Sequence, residues 1–253
     1  MKMSTLYRSI SIETWNRMEF AHKMKFKFSE TTITENLLYK INQFNITSCS
    51  NFIEIYEAKN EKRNGNDLEM YLEIYPDVYI FLAIQAKKLY IKEEKYKTIN
   101  HKVGSTPQIE LLLKYAKSKK GIPLYLLYNY NNKFSHKYKE IYGCSIVKAK
   151  YIKKVFFPNI FKRWKIPKFN DLHVKHAIPF MLLGNIYCIK KYFKDEMENV
   201  KFYKYDELID NNWINIKTLS SIDLSNQDKD IIINDFSPKY KIILNTFKNK
   251  ELI

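Results

Sequence analysis

The sequence predicts an α/β protein in which helices cover a central mixed sheet. Residues 67–75 alternate polar and apolar side chains, which is typical of a strand with one covered face. Residues 78–86 are nearly all apolar, which is typical of a strand covered on both faces. Segments 32–44 and 106–116 instead place apolar residues at helical spacing. Helices that alternate with strands in this way indicate a layered α/β architecture.

The N-terminal part is predicted to hold two helices and a strand. Residues 10–28 indicate a helix with a basic, aromatic end. Thr32 and Glu35 fit a capping box, in which Thr32 is the N-cap of the second helix and the Glu35 side chain bonds back to it. Residues 52–57 follow as the first predicted strand.

The strand pair at 67–86 is followed by one more helix and two more strands. Thr106 is the predicted N-cap of this helix, and Pro107 occupies its first position. The two strands are predicted at 123–128 and 145–147. The order is therefore helix, strand, strand, strand, helix, strand, strand, which indicates an α/β sandwich around a mixed sheet.

The domain organisation follows from where this pattern loosens, near residue 150. No Gly/Ser-rich linker, internal repeat or low-complexity tract follows that point. We therefore expect one core domain over residues 1–150 and a C-terminal extension over 151–253 that packs on it. The chain has 253 residues, of which 45% are hydrophobic, and this is enough for one full core with an appendage.

The charge balance favours a polyanionic partner. Formal net charge is +16, and nucleic acid is the first candidate partner for such a surplus. A second explanation of the positive charge stays open, because the codons of a genome rich in A and T encode Lys, Asn and Ile more often. The charge alone does not decide between these explanations.

Cysteine usage and hydropathy predict a cytoplasmic, soluble protein. Cys49, Cys144 and Cys188 lie far apart and form no metal-binding or disulfide pattern, which is typical of a reducing compartment. The first residues lack the apolar stretch of a signal peptide. The longest apolar runs are far shorter than the roughly 20 residues that a membrane span needs.

The candidate site lies at one end of the central strand pair. Gln85 and Lys87 are polar residues near the end of an otherwise apolar strand, and Asp67 opens the strand before it. Residues two apart on a strand face the same way, so Gln85 and Lys87 project together while Ala86 points to the packed side. An acid beside an amide and an ammonium group suits a divalent metal ion, a scissile phosphate and an attacking water.

This arrangement resembles the PD-(D/E)xK nuclease superfamily, whose fold is restriction-endonuclease-like. An Asp on one strand is followed by acid-x-Lys on the next, and here the motif reads Asp67 and then Gln85-Ala86-Lys87. The sequence around these residues, together with Gln108 at the next helix, is similar to that of an uncharacterised prokaryotic branch of the superfamily. The resemblance covers roughly residues 30–150. Gln85 departs from the pattern, because Glu or Asp is usual there.

The resemblance implies roles for the motif residues. Asp67, the carbonyl of Ala86 and a helix-borne acid, Glu35, would bind Mg²⁺ or Mn²⁺. Gln85 would lie beside the ion, and Lys87 would orient the attacking water or stabilise negative charge in the transition state. Together Asp67, Gln85, Lys87 and Glu35 are the expected catalytic group. The implied activity is hydrolysis of DNA phosphodiester bonds by an endonuclease.

The resemblance also implies partners. The residues expected to contact nucleic acid are Gln108, Lys88, Tyr96 and Lys97. Many enzymes of this kind cut as homodimers, and some act with a sensor or ATPase partner protein, so both are possible associations. Prokaryotic antiviral defence is the implied biological setting, at the level of fold analogy.

Several residues have alternative interpretations that the sequence leaves open. Asp67 and Lys87 could be ordinary residues at the ends of strands, and Glu35 could serve its helix alone. Glu69 shares the predicted face of Asp67 and is a further candidate acid. His173 and His176 could share a zinc ion, but no further metal-ligand motif stands near them.

Other function classes also stay open. Because a neutral amide is a weaker ligand for a hard cation than a carboxylate, Gln85 is compatible with a non-catalytic nucleic-acid-binding protein. An RNA-directed nuclease and a protein-interaction subunit are further alternatives. The sequence has no phosphate-binding glycine loop, dinucleotide fingerprint or serine-hydrolase elbow, which removes support for ATPases, dehydrogenases and serine hydrolases.

Overall fold

A computed structural model describes most of the chain. The described residues are 3–47, 53–58, 67–134, 138–158, 164–173, 175–210, 212–216 and 238–247, with the side chain of residue 67 excepted. Among them, every helix is either too short or too polar to cross a lipid bilayer.

Two long helices begin the fold. They are α1, Met3–Lys23, and α2, Glu30–Thr47. The backbone N–H of Thr32 donates to the Ser29 hydroxyl at 3.0 Å, which is the geometry of an N-cap at Ser29. The predicted N-cap at Thr32 is therefore wrong, since the helix begins three residues earlier and already includes Thr32.

Nine strands form one mixed sheet in the described part of the chain. The strands are β1 Ile53–Ala58, β2 Asp67–Tyr75, β3 Val78–Lys88, β6 Ile122–Tyr128, β7 Cys144–Lys148, β8 Ile178–Pro179, β9 Phe202–Tyr203, β10 Trp213–Asn215 and β11 Tyr240–Leu244. A separate two-stranded ribbon pairs β4, Lys102–Val103, with β5, Thr106–Pro107. The predicted β2 matches the structure, and β3 runs two residues further than predicted.

The sheet order is β10-β1-β11-β2-β3-β6-β7-β8, with β9 paired to the start of β3. The pairs β11/β2 and β3/β6 are parallel and the other neighbours are antiparallel. Strands β8 to β11 all come from residues after 150. The C-terminal part is thus built into the sheet rather than layered on it, and β11 separates β1 from β2.

Shorter helices complete the two layers. They are α3 Gln108–Ser118, α4 Lys139–Tyr142, α5 Ala149–Phe156, α6 Phe169–Leu172, α7 Ile186–Tyr192 and α8 Lys194–Met197, with 3-10 turns at Lys97–Asn100, Phe180–Gly184 and Tyr205–Leu208. Helix α3 starts one residue later than predicted, because Thr106 and Pro107 pair in β5 and Pro107 is the N-cap.

Both faces of β2 are covered, which corrects the prediction of a half-exposed strand. The face of β2 that was predicted to be exposed to solvent is buried, and it carries Glu69, Tyr71 and Glu73. Each acid has polar partners: Glu69 accepts from Lys119, the C-cap of α3, and the Glu73 carboxylate accepts from the backbone N–H of Phe247. Buried charges require such partners, so these pairs let polar residues lie inside the fold.

Helix α2 packs on one face of the sheet and α3 on the other. The hydroxyls of Thr34 on α2 and Tyr128 on β6 lie 2.9 Å apart. Gln108, the first residue of α3, instead contacts Lys87 on β3. Since Tyr128 is in register with Lys88, it lies on the face opposite Lys87. The end of β3 is therefore the point where both helical layers reach the same strand.

Candidate functional site

Strand register brings the motif positions together. Asp67 is the direct partner of Gln85 in the antiparallel pair of β2 and β3. Directly opposed residues of neighbouring strands share a face of the sheet, and Lys87 shares that face because it lies two residues beyond Gln85. The backbone thus assigns positions 67, 85 and 87 to one face. The side chain of Asp67 lies outside the described part of the chain.

Lys87 is buried between the two helical layers. Its ammonium group donates to the amide oxygen of Gln108 at 3.0 Å and lies 3.7 Å from a carboxylate oxygen of Glu30. A buried ammonium needs such partners, because the cost of removing it from water is otherwise not offset. Gln108 therefore holds the Lys87 head group from α3, and Glu30 balances its charge from α2.

The helix-borne acid at this site is Glu30, not the expected Glu35. Glu30 is the first residue of α2, and its other carboxylate oxygen accepts from the Lys88 backbone N–H at 3.2 Å and from the Thr98 hydroxyl at 2.8 Å. Glu35 is exposed and makes no hydrogen bond or ion pair with any described residue. The structure therefore does not bring Glu35 to Lys87.

A local signal for Glu30 exists in the sequence. An acid in the first turn of a helix is favoured by the helix dipole, and Ser29 just before it is a good N-cap. Thr32 with Glu35 gives a stronger capping-box pattern three residues later. Because the predicted N-cap was Thr32 rather than Ser29, the predicted acid was Glu35, which lies more than one helical turn after Glu30.

Gln85 and Ala86 are both buried in β3, and Ala86 is in register with Leu126 of β6. Lys88 is half-buried, and its ammonium group donates to the Phe28 carbonyl in the connection between α1 and α2. Burial lowers the pKa of Lys88, while the nearby Glu30 carboxylate acts in the opposite direction. Lys88 thus ties this connection to the end of β3.

The two residues expected to contact nucleic acid from the loop after β3 differ in position. Tyr96 is fully buried, and its hydroxyl donates to the Asn129 side chain at 2.6 Å. Burial raises the pKa of this phenol well above its usual value. Tyr96 is therefore a core residue rather than a surface contact. Lys97 is exposed and pairs with Glu93 at 2.7 Å.

Glu69 lies next to the candidate site but has its own partners. Its side chain is fully buried, and one oxygen accepts from Lys119 at 2.7 Å and from the Tyr115 hydroxyl. Its other oxygen has no hydrogen-bond partner among the described residues. Through these contacts Glu69 helps to hold α3 against the sheet.

The histidines considered for zinc do not meet. The Nε2 atom of His173 lies within hydrogen-bond distance of the Ser145 hydroxyl, at 2.8 Å. Its Nδ1 atom lies 2.9 Å from the Phe169 carbonyl oxygen. Burial lowers the pKa of His173 to about 4, so this ring is neutral at ordinary pH. His176 instead stacks on Tyr151 at 4.0 Å.

The end of β3 holds both ammonium groups and oxygen-bearing side chains. Among the side chains that the structure describes, no three His, Cys, Asp or Glu residues are grouped to hold a metal ion. The oxygen-bearing side chains described near this point are the Glu30 carboxylate and the Gln85 amide, and the backbone of residue 67 pairs with Gln85. Oxygen donors of this kind fit a hard cation such as Mg²⁺, which keeps several water ligands of its own.

Comparison with known proteins gives a family but no activity. No curated protein and no solved structure shows significant similarity to the chain. The sequence profile of DUF6615, described as a family of unknown function, matches residues 3–236. That range includes the whole strand pair and every residue of the candidate site. The chain therefore belongs to the DUF6615 family.

Proposed function

We propose that this protein is a metal-dependent nuclease of restriction-endonuclease-like fold that hydrolyses phosphodiester bonds of DNA. One observation carries the proposal: position 67 is paired with Gln85 on the face of Lys87, and the Lys87 ammonium lies 3.7 Å from the Glu30 carboxylate. We take these groups as one site, because acids, an amide and a cation are the set that phosphodiester hydrolysis uses.

Each residue has a distinct proposed role. Glu30 and Asp67 would hold the metal ion, with Gln85 beside them as a neutral oxygen donor. A bound Mg²⁺ would supply positive charge to the phosphate and make its bound water more acidic. Lys87 would hold the attacking water or stabilise charge that develops on the phosphate oxygens. Gln108 is a positioning residue, since it contacts the Lys87 head group and fixes its direction.

Plasmid cleavage tests the proposal. Purified protein is incubated with supercoiled plasmid and Mg²⁺ or Mn²⁺, beside Lys87→Met and Asp67→Asn. Lys201→Met is the matched control, because it removes an exposed ammonium that pairs with Glu207 beside β9, at the opposite end of β3. We expect nicking by the wild type and the control, and none by the two site variants. Equal activity in all four proteins would point to a contaminating nuclease and sink the proposal.

A second candidate function is non-catalytic binding of nucleic acid on the same scaffold. Gln85 favours it, because an amide replaces the usual acid and is a weaker ligand for a hard cation than a carboxylate. Salt-dependent binding of DNA by wild type, Lys87→Met and Asp67→Asn without cleavage would support this function. An RNA substrate in the same assay separates an RNA-directed nuclease from a DNA-directed one.

The biological setting is part of the proposal. We place the activity in the cytoplasm and in prokaryotic antiviral defence, with a homodimer as the unit that cuts both strands. A sensor or ATPase partner protein could control it. Mass measurement of the purified protein in solution, alone and with DNA, tests the dimer directly.

A further inference from the structure

The C-terminal end of α1 exposes two aromatic rings to solvent. Phe20 is 58% exposed and Phe26 is 64% exposed, and their ring centroids lie 6.4 Å apart. The turn that ends α1 holds them in place, because the Phe26 N–H donates to the Ala21 carbonyl and the Lys25 N–H to the His22 carbonyl. This pair of bonds is a Schellman motif, which reverses the chain after a helix. Contiguous exposed apolar patches mark binding surfaces, and these two neighbouring rings form such a patch.

These rings border a groove that we call the aromatic groove. It consists of two adjoining depressions of about 710 and 290 Å³ that share Ala21, Phe26 and Phe28. The charged residues that line it are Arg17, Lys27, Lys88, Lys92 and Glu93. Arg17 is paired with Glu13, and the single acid, Glu93, is paired with Lys97. The surplus positive charge of the groove therefore comes from Lys27, Lys88 and Lys92. The groove is therefore both aromatic and positively charged.

The aromatic groove reaches the end of β3 at Lys88. Phe28 lines both depressions, and its carbonyl accepts from the Lys88 ammonium. The Lys88 backbone N–H in turn donates to Glu30, and Lys87 is the next residue back along β3. A strand that leaves the groove at Phe28 would therefore first reach Lys88 and Glu30. Lys87 is buried and faces the other side of β3, and Glu30 is the residue that contacts it.

We infer that the aromatic groove binds unpaired nucleotides and feeds single-stranded nucleic acid into the candidate site. The inference deepens the proposed nuclease function and rests on it for the site that the strand reaches. Bases can stack on an exposed ring only when their faces are free, and the faces are hidden inside a duplex. Phe20 and Phe26 supply the stacking surfaces, while Lys27 and Lys92 lie along the groove to pair with phosphates.

Binding in the absence of metal tests the inference without requiring cleavage. A fluorescent oligothymidylate of about 16 nucleotides and a duplex of the same length are titrated with wild type and with the double variant Phe20→Ala/Phe26→Ala. Stacking is worth about 1–3 kcal/mol per base, so we expect single-strand affinity to fall at least tenfold and duplex affinity to stay within twofold. Both replaced rings are exposed, so the variant should fold, and circular dichroism checks this.

Two further variants sharpen the result. Tyr187→Ala removes a ring that is 73% exposed on α7, outside the groove, and should leave both affinities unchanged. Lys27→Met/Lys92→Met should reduce the slope of log affinity against log salt for the single strand by about 1.4, which is about 0.7 for each lost phosphate contact. Unchanged single-strand binding by the Phe variant, or an equal loss for duplex, overturns the inference. Intact groove binding without any cleavage would overturn only the nuclease proposal.

Discussion

The carboxylate of Glu30, the first residue of α2, lies 3.7 Å from the buried ammonium of Lys87 near the end of β3. This contact joins the helical layer on one face of the sheet to a residue that α3 holds from the other. Removal of either partner leaves the other charge buried with fewer contacts, and that is costly inside a protein. Glu30 and Lys87 should therefore behave as a unit in both stability and activity.

Glu30→Gln separates the observed acid from the expected one. We expect this change to lower plasmid cleavage on the order of 100-fold, because an amide holds a divalent cation poorly in place of a carboxylate. Glu35→Gln is the matched control on the same helix, and it should leave the rate within twofold because Glu35 is exposed. A larger loss for Glu35→Gln than for Glu30→Gln would contradict the assignment.

Gln85→Glu restores the acid that is usual at the motif. If Gln85 lies beside the metal ion, the added carboxylate should lower the Mg²⁺ concentration for half-maximal cleavage about tenfold. The measurement is the initial cleavage rate over a Mg²⁺ titration, with Gln108→Glu as the control for a new charge near Lys87. An unchanged Mg²⁺ dependence in Gln85→Glu would remove Gln85 from the proposed metal site.

Glu69 and Lys119 should contribute unequally to stability. Lys119→Met leaves the fully buried Glu69 carboxylate without its hydrogen-bonded cation, so we expect a loss of about 3 kcal/mol in the free energy of unfolding. Glu69→Gln leaves a partly exposed Lys119 that water can solvate, and should cost only about 1 kcal/mol. Urea unfolding of the three proteins gives these values, and a larger loss for Glu69→Gln would reverse the argument.

His173 should make the fold sensitive to mild acid. Burial lowers its pKa from 6.5 to about 4, so the unfolded chain binds a proton more tightly than the folded one. Its contribution to stability is complete above pH 6.5 and falls as pH drops to 4, with a loss of about 2 kcal/mol at about pH 5. The difference in unfolding free energy between wild type and His173→Gln should shrink by that amount between pH 7.5 and about pH 5. A constant difference would contradict a neutral buried ring.

Lys25 should show a conflict between stability and binding. It has a φ of 58°, a left-handed conformation that costs a non-glycine residue about 1 kcal/mol, at the position where a Schellman motif favours Gly. We expect Lys25→Gly to raise the melting temperature by about 2–4 °C and to weaken single-strand binding through its lost charge. Thermal unfolding and anisotropy titrations measure the two effects, and a lower melting temperature would contradict the first.

Local pattern determined the strand pair on which the site stands. The alternation in β2 and the apolar run in β3 set the bounds of both strands closely, and the two-residue period of a strand fixed Gln85 and Lys87 on one face. Asp67 was expected to lie near them, and the register confirms that its backbone is opposite Gln85. These features depend on neighbours within a few residues, and such neighbours are visible in a sequence.

Only the tertiary structure decided which partners reach that strand pair. The insertion of β11 between β1 and β2, the burial of Tyr96 and the choice of Glu30 over Glu35 all depend on segments far apart in the chain. The capping-box pattern at Thr32 and Glu35 is the stronger local signal, yet the structure caps α2 at Ser29 and turns Glu30 toward the end of β3. Side-chain burial and long-range pairing lower the free energy of the whole fold rather than of one segment, so no local pattern records them.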